Sequence, residues 1–401
     1  MATRALIFIC LLGWAVASAA ERTVVTPAGS APPTGPYSPA LMAGDFLYVS
    51  GQGAAKSDGS FPATTEQQVE QCLATIGRIV EASGLSMRHI VYAHLYLKDI
   101  TRLDEANRAW ARVFPADPPA RAVLGVADLP TGTPIEITVV AYRDLARRRI
   151  VAPPGYNSSE PVSPAVLAGG RLYLSGMTGT GANPTAQLES AFSRMSATLA
   201  AAGLDFRHLA FVNPYLTDAM PMEEMNRAYA AKFEFGNTPA RATIRVASLP
   251  GGASVAFTGV AAASLAERRA VRPKNMPPSP TASPCVFAGD AYYCSAKSGF
   301  IPGPNSGIYA STVETQMRQT MRNLLDGLEE AGLDFSHVVA SNVYLDDVRE
   351  WAAMNKVYAE YFGKAPPSRT TVQQVAPVSS RQADSRGRWP MLEQMSVIAV
   401  K

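Results

Sequence analysis

Charge is scarce in this chain: 17% of its 401 residues are Asp, Glu, Lys or Arg, and the formal balance is +3. So small an excess, without a basic stripe interleaved with aromatics, argues against a nucleic-acid partner or an anionic membrane surface. Histidine is rarer still, with four residues, and none stands near a cysteine pair or another histidine at ligand spacing, so no metal site is expected. No glycine-rich phosphate cradle is written anywhere, and no cofactor is expected. Long apolar runs are missing after the first 20 residues. There, Arg4 precedes ALIFICLLGWAVA and the small-residue stretch Ala17 to Ala20 follows. This pattern reads as a secretory signal over residues 1–20, cut before Glu21. A permanent span takes roughly 20 apolar residues, which this run does not reach. Cys10 lies inside the apolar core, which disfavours a lipoprotein cut. The mature chain is expected to be periplasmic or secreted, without membrane contact after processing.

Cysteine is also sparse, and three would remain after that cut: Cys72, Cys285 and Cys294. CVFAGDAYYC reads as two apolar strands around a Gly289-Asp290 turn. A two-residue loop there sets Cys285 opposite Cys294, at a non-hydrogen-bonded position where strands approach most closely. In an oxidising compartment the two are expected to cross-link; the alternative is a pair of buried thiols. Cys72, on a helix, reads as a small core residue.

What is abundant is repetition. PPARAVLGVADLP (Pro118 to Pro130), TPARATIRVASLP (Thr238 to Pro250) and PPSRTTVQQVAP (Pro366 to Pro377) are one segment written three times. Each carries one arginine, Arg121, Arg241 or Arg369, and the spacing is that of a whole small domain. Other landmarks keep phase: DEANRAW around Asn107, EEMNRAY around Asn226, AAMNKVY around Asn355, and the turn histidines His89, His208 and His337. Those histidines sit between a helix and a strand, where a local hydrogen-bonding role is expected over catalysis. The chain is thus read as three tandem units, residues 21–146, 147–268 and 269–401. Proline-rich linkers, VAPPGYNSSEP and VRPKNMPPSPTASP, separate them. The arginine clusters at 147–149 and 268–269 read as solvated unit ends.

Within unit 1, SPALMAGDFLYVSGQ predicts two strands, TTEQQVEQCLATIGRIVEASG a helix stopped by Gly84, and HIVYAHLYLKD a third strand. LDEANRAWARVF predicts a second helix, and RAVLGVADLP and IEITVVAY two further strands. Helices among antiparallel and mixed strands predict an α+β unit of two layers, with helices on one sheet face. The other sheet face needs cover, and a neighbouring copy is the natural source.

In order, GPYSPA (Gly35 to Ala40), VSGQ, the NRAW helix, PPAR followed by ADLP, and IEITVVA resemble the YjgF/RidA family, formerly called L-PSP endoribonucleases. The resemblance covers each unit almost end to end. It implies a chorismate-mutase-like fold and a chain that acts as a monomeric pseudo-trimer, with clefts between units that need not be identical. It also implies hydrolysis of enamines and imines of 2-amino acids to 2-keto acids and ammonia, so the partner is a small carboxylate. Arginine's planar fork suits that carboxylate, and a glutamate suits the handling of a water proton. Carried over, Arg121 binds the carboxylate, Glu136 orients the water and Tyr37 closes over the substrate. Gly51 lines the cleft and Asn107 braces it.

The other units depart from that pattern. Unit 2 keeps Arg241 but has Val162 for Tyr37, Met177 for Gln52 and Ala256 for Glu136. Unit 3 keeps Arg369 but has Ala282 for Tyr37 and Gln394 for Glu136, with Glu393 as the competing alignment. In CSAKS, Ser295 is read as replacing the glycine of VSGQ, with Lys297 adding a charge. One competent cleft is therefore expected, built on unit 1 around Arg121 and completed by an unidentified neighbour. The competing reading is a non-catalytic module whose three arginines, Arg121, Arg241 and Arg369, capture small carboxylates. Ribonuclease action follows from the family's older name alone, and the charge balance speaks against it.

Overall fold

The computed structural model describes residues 21–158, 160–274, 276–303, 307–375 and 382–401. The expected signal sequence lies outside the described residues. Unit 1 is built from β1 (Arg22–Val25), β2 (Ala40–Ala43), β3 (Phe46–Gly53), α1 (Thr65–Ala82), β4 (Ile90–Leu97), α2 (Leu103–Val113), β5 (Ala120–Gly125) and β6 (Ile135–Tyr142). Its sheet runs β1-β2-β3-β6-β4-β5, antiparallel except for the parallel pair β4 and β5. A parallel pair needs a crossover, and α2 supplies it. Thr64 starts α1 by accepting the Gln67 N–H, which satisfies a helix-end donor that has no partner within the helix.

The same order recurs. Unit 2 contains β7 (Arg149–Val151), β8 (Ala165–Ala168), β9 (Arg171–Thr178), α3 (Pro184–Ala201), β10 (Leu209–Leu216), α4 (Met222–Ala230), β11 (Ala240–Arg241), β12 (Ile244–Arg245) and β13 (Val255–Ala262). Unit 3 contains β14 (Arg268–Val271), β15 (Cys285–Ala288), β16 (Ala291–Ser298), α5 (Val313–Glu329), β17 (Val338–Leu345), α6 (Trp351–Tyr358), β18 (Ser368–Gln373) and β19 (Glu393–Val400). The turn histidines act locally: Nδ1 of His89, His208 and His337 accepts the backbone N–H of Ser86, Asp205 and Asp334. Cys285 and Cys294 face each other in the β15–β16 hairpin and are joined as a disulfide. Cys72 is a buried free thiol. Among the described residues, no helix is long and apolar enough to cross a membrane, and no three His, Cys, Asp or Glu side chains gather as a metal set.

Each sheet has two covered faces. Helices cover one, as Val69, Leu73 and Ile76 of α1 do against Leu47, Val49 and Ile137. The other faces of all three sheets turn inward to one shared core that includes Tyr48, Tyr96, Tyr173, Tyr215, Tyr293 and Tyr344. The three units thus form one barrel-like body around a common axis. A cavity of about 70 Å3 lies among Tyr48, Tyr92, His94, Tyr173 and Tyr293. Arg171 ties the units together there. Its guanidinium donates to Ala288 O and to Asp290 of unit 3 while lying 4.2 Å over the Phe46 ring of unit 1. Arg171→Ala removes a 2% exposed side chain from this junction, and the expected loss is on the order of 3 kcal/mol. Arg171→Met, which keeps the volume without an unpaired charge, should lose less; urea midpoints of the two variants check the order.

Candidate active site

The junctions between units place the arginines, and one register irregularity builds all three junctions. β3 pairs with β6 through Val49–Val139 and then Gln52–Ile137, so Ser50 and Gly51 together oppose one residue. β9 does the same between Leu174 and Met177, and β16 between Cys294 and Lys297. Each is a bulge, which bends the strand and re-aims a side chain. The re-aimed hydroxyls are Ser50, Ser175 and Ser295. Each accepts, at 2.8 Å, the backbone N–H of an arginine from another unit: Arg369 to Ser50, Arg121 to Ser175 and Arg241 to Ser295. Flanking contacts agree: Ser38 Oγ donates to Pro366 O, and Ser163 Oγ to Pro118 O. The arginine of unit 1 therefore faces unit 2, that of unit 2 faces unit 3, and that of unit 3 returns to unit 1.

This cyclic order separates residues that the sequence suggested would act together. Tyr37, Gly51 and Glu136 stand in one cleft with Arg369 and Asn355; Arg121 and Asn107 stand in the next. The Arg369 guanidinium lies between two tyrosines, 4.9 Å over Tyr37 and 4.7 Å over Tyr358. It is 4% exposed, and among the described residues its Nη1 and Nη2 have no hydrogen-bond partner, nor does the neighbouring Asn355 Oδ1. A buried, unpartnered planar fork is poised for an oxyanion.

Glu136, also buried, has its pKa pushed up to about 8. Burial is the main cause; the charge of Arg369 and a hydrogen bond from the Thr371 backbone, both from unit 3, act against it. The carboxyl thus sits near its midpoint close to neutral pH and can both give and take a proton. Gly51 makes room for it, because a Cβ there would collide with Glu136 Oε1 and come 2.5 Å from its Cδ. Gly35, given no role from the sequence, is equally constrained: a Cβ would lie 2.9 Å from Arg369 Nη2 and 3.2 Å from Asn355 Nδ2. Its placement before Pro36-Tyr37 in GPYSPA was the available signal.

The second cleft also holds a buried fork, with Arg121 Nε and Nη1 unpartnered among the described residues, but it lacks an acid at the Glu136 place, where Ala256 stands. Arg121 Nη2 donates to Asn107 Oδ1 at 2.5 Å, and the guanidinium lies 4.8 Å over Trp110. Its surroundings, a cavity of about 420 Å3, include Val162, Met177 and Ala256. Glu160 of unit 2 supplies a nearby negative charge, while burial lowers the Arg121 pKa to about 10. In the third cleft Arg241 Nη1 donates to Asn226 Oδ1 at 2.7 Å, beside Lys297 and Gln394.

Two alignments follow from register. Gln394 pairs with Tyr344 as Glu136 pairs with Tyr96, so Gln394 holds the glutamate's place. Glu393 points to the helix layer, where it accepts from Thr320 Oγ1. The bulge also corrects the reading of CSAKS. Ser295 is the counterpart of Ser50, so Ala296 replaces Gly51 and Lys297 replaces Gln52.

Glu393 gives a stability test outside the clefts. Burial pushes its pKa up to about 8, from an ordinary value of 4.5. Between those values the folded state keeps a proton that the unfolded state releases, so stability falls as pH rises, by about 1.4 kcal/mol per unit for each such carboxyl. His94, held neutral by burial with its pKa lowered to about 4, contributes the opposite slope only below its ordinary value of 6.5. The carboxyl effect is therefore read cleanly from neutral pH upward. Glu393→Gln should show a shallower loss of urea stability between neutral pH and pH 8.

The three units match what comparison with known proteins finds. The family model described as endoribonuclease L-PSP matches three times, over residues 28–143, 154–263 and 278–382. The chain belongs to the endoribonuclease L-PSP family. It carries the family's unit in three tandem copies, and its relatives are RutC and RidA proteins. The 2-iminobutanoate/2-iminopropanoate deaminase of Bos taurus is 32% identical over 128 residues, covering 31% of this chain and 93% of that protein. Reactive Intermediate Deaminase A, chloroplastic, of Arabidopsis thaliana is 35% identical over 127 residues, 31% of this chain and 68% of that protein. A chorismatase crystal structure, 12% identical, aligns over 78% of this chain and 93% of its own with a TM-score of 0.54, a likeness of fold alone.

Proposed function

We propose that the chain hydrolyses imines and enamines of 2-amino acids to 2-keto acids and ammonia, in the cleft where unit 3 meets unit 1. The observation that carries this reading is the buried Arg369 fork, with both terminal nitrogens unpartnered, beside the buried acid Glu136. Single-unit relatives named as iminobutanoate deaminases support it.

The substrate's carboxylate takes the two Arg369 nitrogens, with Tyr37 against it. An enamine first tautomerises to the imine. Neutral Glu136 then gives its proton to the imine nitrogen, making C2 more electrophilic. Water adds to C2 and gives its proton to the Glu136 carboxylate, forming a carbinolamine. Glu136 passes that proton to the amino group while the hydroxyl proton returns to Glu136; the C–N bond breaks, ammonia leaves and the keto acid remains. Water is consumed and no oxidant or cofactor is needed. Arg121, first assigned to the carboxylate, has no such acid at the Glu136 place of its cleft, where Ala256 stands.

Export is part of the proposal. The Cys285–Cys294 disulfide suits an oxidising compartment, in keeping with the signal-like residues 1–20. The direct test is keto-acid release from imines generated by an amino-acid oxidase. Faster release with protein than without is expected; equal rates over a range of imines would remove the reading.

A further inference from the structure

The cleft between units 2 and 3 carries an excess of positive charge that the deaminase reading does not use. Arg241 and Lys297 line one cavity of about 370 Å3. Across the wall formed by Ser279, Ala282, Ser283 and Pro284 lies a second hollow, lined by Arg268, Arg269 and Arg272. Neither hollow has an aspartate or glutamate in its lining. Three of these cations have local partners: Arg241 donates to Asn226 Oδ1, Arg268 donates to Leu209 O and Asn237, and Arg269 lies over Phe287. Lys297 differs. Among the described residues its Nζ makes no salt bridge or hydrogen bond, and burial lowers its pKa, with Asp326 opposing from a distance.

The cleft also lacks the reactive group. Gln394 stands at the Glu136 place, and its amide is engaged, donating to Thr243 O at 3.1 Å and Gln374 Oε1 at 3.0 Å. It cannot exchange a proton as a carboxyl does. Arg241, anchored by Asn226, keeps the role of a carboxylate fork, while Lys297 adds a point charge where unit 1 has Gln52. Neither cation has an acidic partner in the lining of that cavity, and a ligand with two acidic groups would supply one to each.

We propose that the Arg241–Lys297 cleft is a non-catalytic binding site for a small dicarboxylate, with one carboxylate on the Arg241 fork and the other on Lys297. It is independent of turnover at Glu136.

Calorimetry with the full chain tests it, using succinate and glutarate as probes and butanoate as the one-charge control. One equivalent of dicarboxylate should bind at least ~10-fold more tightly than butanoate, the scale of one charge-assisted contact. Lys297→Met should erase that preference while leaving butanoate binding within a few fold. Arg241→Met should abolish the dicarboxylate signal, which assigns it to this cleft. Lys297→Gln, run in parallel, keeps the test available if the methionine variant folds poorly. Dicarboxylate binding no tighter than butanoate, or unchanged in both Lys297 variants, would overturn the proposal. So would displacement of glutarate by an equal concentration of inorganic phosphate, which would indicate a compact phosphate site instead.

Discussion

Arg369→Ala is expected to lower kcat/KM for the proposed imine hydrolysis by about 10²–10³-fold, whereas Arg121→Ala is expected to stay within a few fold of the wild type. The first number follows from removing a buried, charge-assisted fork to the substrate carboxylate, a loss of roughly 3–4 kcal/mol. The second follows from the junctions: the Arg121 backbone amide meets Ser175 of unit 2, away from Glu136, whose unit 3 neighbours are Arg369 and Thr371. Arg369→Lys keeps the charge but loses the planar two-point grip, so it should recover only part of the activity. Parallel kinetics on the three variants decide the matter. Losses of only about two-fold at each of Arg121 and Arg369 would mean that two clefts turn over independently, and a large loss at Arg121 alone would return the site to the arrangement the sequence suggested.

Glu136→Gln is expected to cost about 10²–10⁴-fold in kcat with a smaller change in KM, because glutamine fills the space but moves no proton. The wild-type pH profile carries the sharper form of the same claim. If neutral Glu136 starts the reaction by protonating the imine, kcat/KM must fall as pH rises through its pKa of about 8. The sign is fixed by which form acts first: a group needed as the acid is lost on the alkaline side. Stopped assays from pH 6 upward, with the imine's own hydrolysis subtracted, read this directly. Activity that rises through the same interval would show that the carboxylate acts from the outset and that another group supplies the first proton.

Much of the fold was legible because repetition is a strong signal. The arginine segments, the asparagine helices and the turn histidines keep phase, and they mark three α+β units whose inner sheet faces need one another. The glutamate loss in units 2 and 3 was equally readable from IEITVVA against its counterparts. What the sequence could not carry was the direction of the cycle. Whether Arg121 faces its own Glu136 or the next unit's Ala256 depends on how three twisted sheets pack around an axis, and no local pattern encodes that choice. The reading of Ser295 was a misalignment that the sequence itself could have caught, because Ser38 to Ser50 and Ser283 to Ser295 are equally spaced, and the matching bulges place Ser295 at the Ser50 position. The charge differences among the clefts were partly hidden. Glu160 looks like an ordinary polar residue until the junction brings it beside Arg121, whereas the added charge of Lys297 was already visible in CSAKS.

Because the three units share one chain, their three junctions need not be identical, and they are not. One pairs an arginine with a buried acid, one an arginine with apolar side chains and a nearby glutamate, and one an arginine with a lysine. The central claim is that the first is where substrate reacts, and a crystal structure of Glu136→Gln with 2-oxobutanoate tests it most directly. The keto acid is expected between units 3 and 1, its carboxylate on Arg369 and its C2 facing residue 136. A keto acid bound through Arg121, with the Arg369 cleft empty, would contradict it.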